Sequence, residues 1–288
     1  MSGQFKELGI PVSIVGPGTQ PESEDGLTLD YMPMPKEMYT YEQPALYDET
    51  LDNHPGARPV LEQLQRVLTG FEWADECVEV IALTDMEKDD LRFLLRLLGE
   101  GEVSMVVRNP VRYEIQESVL AGVWLVREHL NDGSRYQIHV GALPAPVWQY
   151  TFDQAAERVR DTFDSLPDGV MNAPPILVEL NEQAQKWQPG MDAHVINLTL
   201  LPQTPEDLEF LGQHLGAGPT EGFSRGYGTV RMLSTGLKNT WWVRYFNSED
   251  KLILDTIEVT RAPQVLQAAK EDLEDSAQRL DEIMETIA

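Results

Sequence analysis

Cysteine is all but missing from this chain: Cys77 is the only one in 288 residues. That excludes an internal disulfide framework and a cysteine-rich metal cluster. Long apolar runs are missing too, and no stretch approaches the roughly 20 residues of a membrane-spanning helix. The opening MSGQFKELGIPVSIVGPG lacks the basic segment, apolar core and cleavage site of a secretory signal. These absences point to a cytoplasmic protein without membrane insertion. Basic residues are scarce as well: 22 Lys plus Arg face 48 Asp plus Glu, a formal net charge of −26. Such a chain repels nucleic-acid phosphates and anionic headgroups and attracts basic partners. The same charge serves solubility.

Motifs of chemistry are sparse. The five histidines, His54, His129, His139, His194 and His214, show no HxH or HxxxH pair, so no metal site is expected. The glycines of LGEGE and LGAGP follow a helical pattern rather than a strand, and no GKS or GKT comes after them, so they are not a phosphate loop. Cys77 opens a predicted strand and reads as a small buried apolar residue. Carboxylates are so frequent that pairs such as Asp89–Asp90 mark no site. No catalytic residue and no cofactor are assigned.

What is present is a repeated phrase. DDLRFLLRLLGEGE begins at Asp89, and EDLEFLGQHLGAGP begins at Glu206. At a constant shift of 117, Asp90 falls on Asp207, Leu98 on Leu215, Gly99 on Gly216, Gly101 on Gly218, Arg108 on Arg225, Trp124 on Trp241 and Arg127 on Arg244. This indicates an internal duplication of two copies. Each copy reads as helix, strand, helix, three or four strands and a closing helix. PVLEQLQRVLTGF and PPILVELNEQAQKW carry the first helical rhythm, and CVEVIALT (77–84) and HVINLTLL (194–201) are rich in β-branched residues. In the second phrase Thr204 is the expected N-cap, with Pro205 in the first turn; Thr84 or Asp85 caps the first. The glycines then stop the helix in a left-handed turn. The closing helices are expected over TFDQAAERVRDTF (151–163) and from Leu266 to the C-terminus.

The expected fold is α+β: two similar modules, each an antiparallel sheet covered by helices. Residues 1–55 form an extended Pro-, Met- and Tyr-rich arm, 56–168 the first repeat, and 169–288 the second, ending in a long helix. In the arm, Tyr31, Met32, Met34, Met38, Tyr39 and Tyr41 either pack on their own domain or serve as a docking arm.

The strand TWWVRYF places Trp241, Val243 and Tyr245 on one face and Trp242, Arg244 and Phe246 on the other. In VWLVREHL, Leu125 and Arg127 share a face opposite Trp124 and Val126. One face is core; the other carries an exposed arginine, with aromatics beside it in the second copy. Such a surface suits an extended peptide. The competing reading is that Trp124 and Trp241 anchor the cores while Arg127 and Arg244 pair with nearby carboxylates.

The blocks MPMPKEMYTYEQP, LLGEGEVS and IHVGALPAP, together with the WxVR strand, resemble the HupH/HyaF (HoxQ-type) hydrogenase expression and formation proteins. The resemblance spans essentially the whole chain, with departures at LGAGPTE and IEVTRAP. It implies a non-enzymatic maturation chaperone for a nickel–iron uptake hydrogenase. The implied partner is the small, iron–sulfur-bearing subunit precursor with its basic twin-arginine leader, and other maturation factors. Met34, Met38, Tyr39, Tyr41, Arg127, Trp242, Arg244 and Phe246 are the candidate partner contacts. A metal- or cluster-handling factor, or a ligand-binding regulator of the same pathway, is the alternative.

Overall fold

The computed structural model describes residues 50–287, apart from 74, 75, 77, 84, 85, 226 and 227. The arm with Met34, Met38, Tyr39 and Tyr41, the capping pair Thr84 and Asp85, and Cys77 lie outside the described residues.

Two helix pairs follow the predicted rhythm. In α1 (Ala57–Gly70), Ala57, Leu61, Leu64 and Leu68 form one buried face. Its counterpart α4 (Ala173–Lys186) buries Ile176, Leu177, Leu180 and Ala184, with prolines in the first turn, where no intrahelical N–H bond is lost. α2 (Lys88–Leu98) and α5 (Pro205–Leu215) carry the repeated phrase. α5 starts in a capping box: Thr204 accepts from the Asp207 N–H, and the Asp207 side chain accepts from the Thr204 N–H.

Both phrase helices end at a glycine, but not in the left-handed helical turn expected. Gly99 has φ 57° and ψ −164°, and Gly216 has φ 64° and ψ 172°. Positive φ with ψ near 180° is a region essentially restricted to glycine, and it turns the chain directly into a strand. Gly101 and Gly218 have a different purpose. A Cβ on Gly101 would sit 2.4 Å from the Ser118 carbonyl oxygen, and one on Gly218 would sit 2.4 Å from Ser234 Oγ. The next strand passes too close for any side chain.

The strands are β1 (Glu79–Ala82), β2 (Val103–Val107), β3 (Tyr113–Glu117), β4 (Val123–Leu130), β5 (Gly133–Val140), β6 (His194–Asn197), β7 (Ala217–Arg225), β8 (Thr229–Thr235), β9 (Thr240–Phe246) and β10 (Leu252–Val259). They form one antiparallel sheet in the order β1-β5-β4-β3-β2-β7-β8-β9-β10-β6. Two separate sheets were expected. Instead β2 and β7 pair from Val103↔Ser224 to Val107↔Thr220, which removes two inner edges. Outward from this seam the order is 2-3-4-5-1 on one side and 7-8-9-10-6 on the other.

Three expected elements differ. β6 stops at Asn197, whose side chain accepts the Leu200 N–H and begins a 3-10 turn over Leu198–Leu200. The predicted helix 151–163 is replaced by the short α3 (Ala145–Tyr150) and an irregular segment. Backbone groups there are taken by distant partners. Ala156 N–H donates to Gly236 O at 2.8 Å, Lys238 N–H donates to Ala156 O at 2.9 Å, and Asn181 bonds both Val159 N–H and Val159 O. The C-terminal helix α6 starts at Lys270, and Leu266 lies in a preceding 3-10 turn.

The covering segments cross between halves. Leu273, Leu280 and Ile287 of α6 join α1 and α2 in one interior, and Ser276 Oγ donates to Ala121 O at 3.0 Å. Val159 and Phe163 pack in the interior of α4 and α5. A third interior, on the opposite face, holds Trp148 of α3 and Leu266 with both Trp124 and Trp241. The two matched tryptophans therefore share one interior rather than anchoring one each. Their indole N–H groups donate to Gly141 O at 2.9 Å and Arg261 O at 3.2 Å.

Candidate functional site

Strand alternation puts Arg127, Trp242, Arg244 and Phe246 on the sheet face that carries α1, α2, α4 and α5. One row of register partners runs Tyr136–Arg127–Glu114–Val106–Glu221–Leu233–Trp242. Arg127 and Trp242 are thus five strand spacings apart, about 24 Å, and do not form one contact site.

Arg127 is half-buried. Its Nη1 lies 3.6 Å from Glu114 Oε2, its Nε donates to Ser134 Oγ at 3.1 Å, and its guanidinium lies 5.7 Å from the Tyr136 ring centre. Glu114 is buried, with Arg112 at 2.9 Å and His129 Nε2 at 2.9 Å. Arg244, expected to be exposed, is buried at 8% exposure. The register sets Asp255 directly opposite it, with Arg244 Nε 3.5 Å from Asp255 Oδ2. The other Asp255 oxygen accepts the Trp242 indole N–H, and the Arg244 guanidinium stacks 4.9 Å from the Trp242 ring. Pairing with carboxylates thus accounts for both repeated arginines.

A partly exposed arginine–aromatic surface joins Phe246 to residues outside the predicted set. Arg231 lies 5.0 Å from the half-buried Phe246 ring, and the exposed Arg225 lies 5.2 Å from Phe223. The row Ser104–Phe223–Arg231–Arg244–Asp255 carries it across the seam. Sequence reasoning missed Phe223, Arg225 and Arg231, although FSR and TVR alternate as TWWVRYF does. At the constant offset Arg231 replaces Glu114, so an arginine stands where the other half has its neutralising carboxylate.

Buried ionisable groups lie on the opposite face. Burial pushes the Glu117 carboxyl up to about 7, although the Val103 N–H, donating at 3.3 Å, opposes the shift. Burial also lowers His139 to about 4. Its Nδ1 accepts the Ala145 N–H at 3.2 Å, which leaves the Nε2 proton for Gln137 Oε1 at 3.0 Å. Burial raises Glu258, against a hydrogen bond from Thr256. Each group is held by its own neighbours, as structural polar groups are.

GFSRG, from Gly222 to Gly226, matches the spacing of a nucleophile elbow, a match the sequence reading overlooked. Ser224 is 7% exposed and lies inside β7, paired with Val103 and Val230. An elbow needs an exposed strand-to-helix turn, so the match carries no nucleophile. Among the described residues, no three His, Cys, Asp or Glu side chains are grouped to hold a metal ion. No helix among them is long and apolar enough to cross a membrane.

Fold and site define an α+β sheet protein whose buried charges are committed to its own packing. The comparisons name the class more closely. The sequence model of the HupH hydrogenase expression protein, C-terminal conserved region, matches this chain twice, at residues 55–166 and 170–287. The chain belongs to the family of HupH hydrogenase expression proteins. It is 46% identical over 279 residues to the hydrogenase expression/formation protein HupQ of Azotobacter chroococcum, covering 94% of this chain and 95% of that one. It is 40% identical over 284 residues to HoxQ of Cupriavidus necator, covering 96% and 97%. The solved hydrogenase expression protein HupH from Thiobacillus denitrificans is 28% identical, with a TM-score of 0.38, covering 40% of this chain and 96% of that one.

Proposed function

We propose that this protein is a non-enzymatic assembly chaperone of a nickel–iron uptake hydrogenase. It acts in the cytoplasm on the small, iron–sulfur-bearing subunit precursor before twin-arginine export. Family membership carries the reading: the relatives are named hydrogenase expression or formation proteins, which places the chain in hydrogenase maturation. The net charge of −26 supports a basic leader as ligand through steering and arginine–carboxylate pairing. We also read the chain as a tandem duplication with halves at 56–168 and 169–288. The repeated strand order and the two matched segments support that reading.

Of the partner contacts expected from sequence, Arg127 and Phe246 stay at the surface, joined by Phe223, Arg225 and Arg231. Met34, Met38, Tyr39 and Tyr41 remain a proposed docking arm, whereas Trp242 and Arg244 serve the fold. The test is co-purification with the small-subunit precursor, with and without its leader. The expected result is a complex that weakens with salt and is lost when the leader is removed. No complex at low salt overturns the proposal. Stoichiometric iron or nickel in protein purified without chelator would favour a cluster-handling factor instead.

A further inference from the structure

Among the described residues β1 and β6 are the edge strands of the sheet, and β1 is flanked by a groove on each face. On the helix side, Gly56, Pro59, Val60, Leu83, Met86 and Glu87 line a cavity of about 280 Å³. On the other side, Glu76, Val78, Val80, Trp148, Gln149 and Arg261 line one of about 470 Å³. Among the described residues, the backbone between them has an open side. Leu83 N–H donates to Tyr136 O at 3.0 Å, and β1 pairs antiparallel with β5 from Glu79↔Val140 to Ala82↔Gln137. Bonded and unbonded residues alternate in such a ladder, so Val80 and Ala82 turn their N–H and C=O groups away from β5. Val80 is a β-branched residue left 45% exposed on an edge.

The larger groove has an apolar wall. Trp148 is only 8% exposed and its indole Nε1 is closed to solvent, so its ring offers an added chain a packing surface rather than a donor.

We propose that β1 receives an extended segment of a partner protein as an eleventh strand. Its side chains enter the two grooves alternately, and its main chain bonds the outward groups of Val80 and Ala82. Recognition of this kind draws affinity from main-chain bonds and specificity from alternate pockets. Charge selects the occupant. The exposed charged residues described from 72 to 89 are Glu72, Glu76, Glu79, Glu87 and Asp89 against Lys88. Arg261 in the groove is already engaged, by Glu76 at 3.2 Å and by Trp148 O at 2.7 Å. The segment is therefore apolar at its groove-facing positions and flanked by Lys or Arg.

This deepens the chaperone reading and rests on it, with the basic precursor leader as the segment. The test is anisotropy of a fluorescein-labelled synthetic leader peptide with the full chain, beside pull-down of the whole precursor. Val80→Pro and Ala82→Pro each remove an outward N–H. Each should weaken the peptide about tenfold, the worth of one well-made hydrogen bond. Because neither N–H bonds β5, both variants should keep a urea midpoint close to that of the wild type. Full-strength peptide binding by both variants overturns the added strand while leaving the chaperone reading intact. Failure of wild type to bind peptide or precursor overturns both. A wild-type dimer that Val80→Pro dissociates identifies a second copy on this edge and also overturns the proposal.

Discussion

Asp207 should be the most costly single carboxylate to remove. It is fully buried, and its Oδ1 accepts the N–H groups of Met171, Asn172 and Ala173 at 2.8, 2.8 and 2.9 Å. Its Oδ2 accepts from Thr204 N–H at 3.2 Å. One side chain thus binds the start of α4 to the start of α5. Asp207→Ala leaves four backbone donors unmet, each worth about 1–3 kcal/mol when buried. Met171 and Thr204 lie near solvent and recover water, so the expected loss is about 4 kcal/mol. Asp90 is the built-in control. It holds the equivalent Gly56 N–H at 3.0 Å and His54 Nδ1 at 3.2 Å, so Asp90→Ala should cost about 1.5 kcal/mol. Urea unfolding at pH 7 reads both as midpoint shifts at constant slope. Acidification adds a second reading. Burial works to raise the Asp207 carboxyl, but the four backbone N–H groups outweigh it and hold it below the usual aspartate range. A lowered carboxyl stabilises the fold above its unfolded pKa and loses that contribution as pH falls below about 4. Asp207→Asn should remove this acid sensitivity. Equal losses for Asp90→Ala and Asp207→Ala, or a loss under about 1 kcal/mol for the latter, would refute the account.

Three further outcomes follow from the same geometry. Glu117, raised from 4.5 to about 7, contributes stability below pH 4.5 that is lost as pH rises through 7, so Glu117→Gln should gain up to about 3 kcal/mol at pH 8 in urea titrations. His139, lowered from 6.5 to about 4, has the opposite effect: stability is full above pH 6.5 and falls toward pH 4, and His139→Gln should flatten that limb in thermal melts. Gly99→Ala and Gly216→Ala should each cost about 1–3 kcal/mol through backbone strain alone. Gly101→Ala, aimed at a carbonyl oxygen 2.4 Å away, should cost at least as much and shift the β2 and β3 amides in NMR spectra.

What the sequence made legible is local. The rhythm of Leu61, Leu64 and Leu68 and the Thr204–Pro205 start describe chemistry complete within a few residues, and both elements stand where expected. The segment 151–163 has an equally good helical rhythm, but Asn181, Gly236 and Lys238 take its backbone groups from 22 to 82 residues away. Periodicity cannot register such competition. The rhythm of Leu273 and Leu280 likewise reveals an apolar face without its destination, which is the other half of the molecule. The two readings of Arg244, exposed or paired with a carboxylate, could not be separated locally, because Asp255 is set opposite it by register rather than by sequence proximity. At the candidate site, Phe223 and Arg231 carry no repeat signal, because Val106 and Glu114 stand at the matching positions.

That offset carries a further consequence. Several pairs retained at a shift of 117 have packing tasks: Asp90 and Asp207 on helix starts, Gly99 and Gly216 in the glycine-only turn, Trp124 and Trp241 in the shared interior. Other positions differ: Glu114 meets Arg231, Trp148 meets Val265, and Val80 meets Asn197. Asn197 folds back to cap a 3-10 turn, whereas beside β1 the ladder runs one bond past Ala82 through the Leu83 N–H. On the proposal that β1 receives a strand, exchanging Val80 should alter binding, whereas exchanging Trp124 or Asp207 should first unfold the chain.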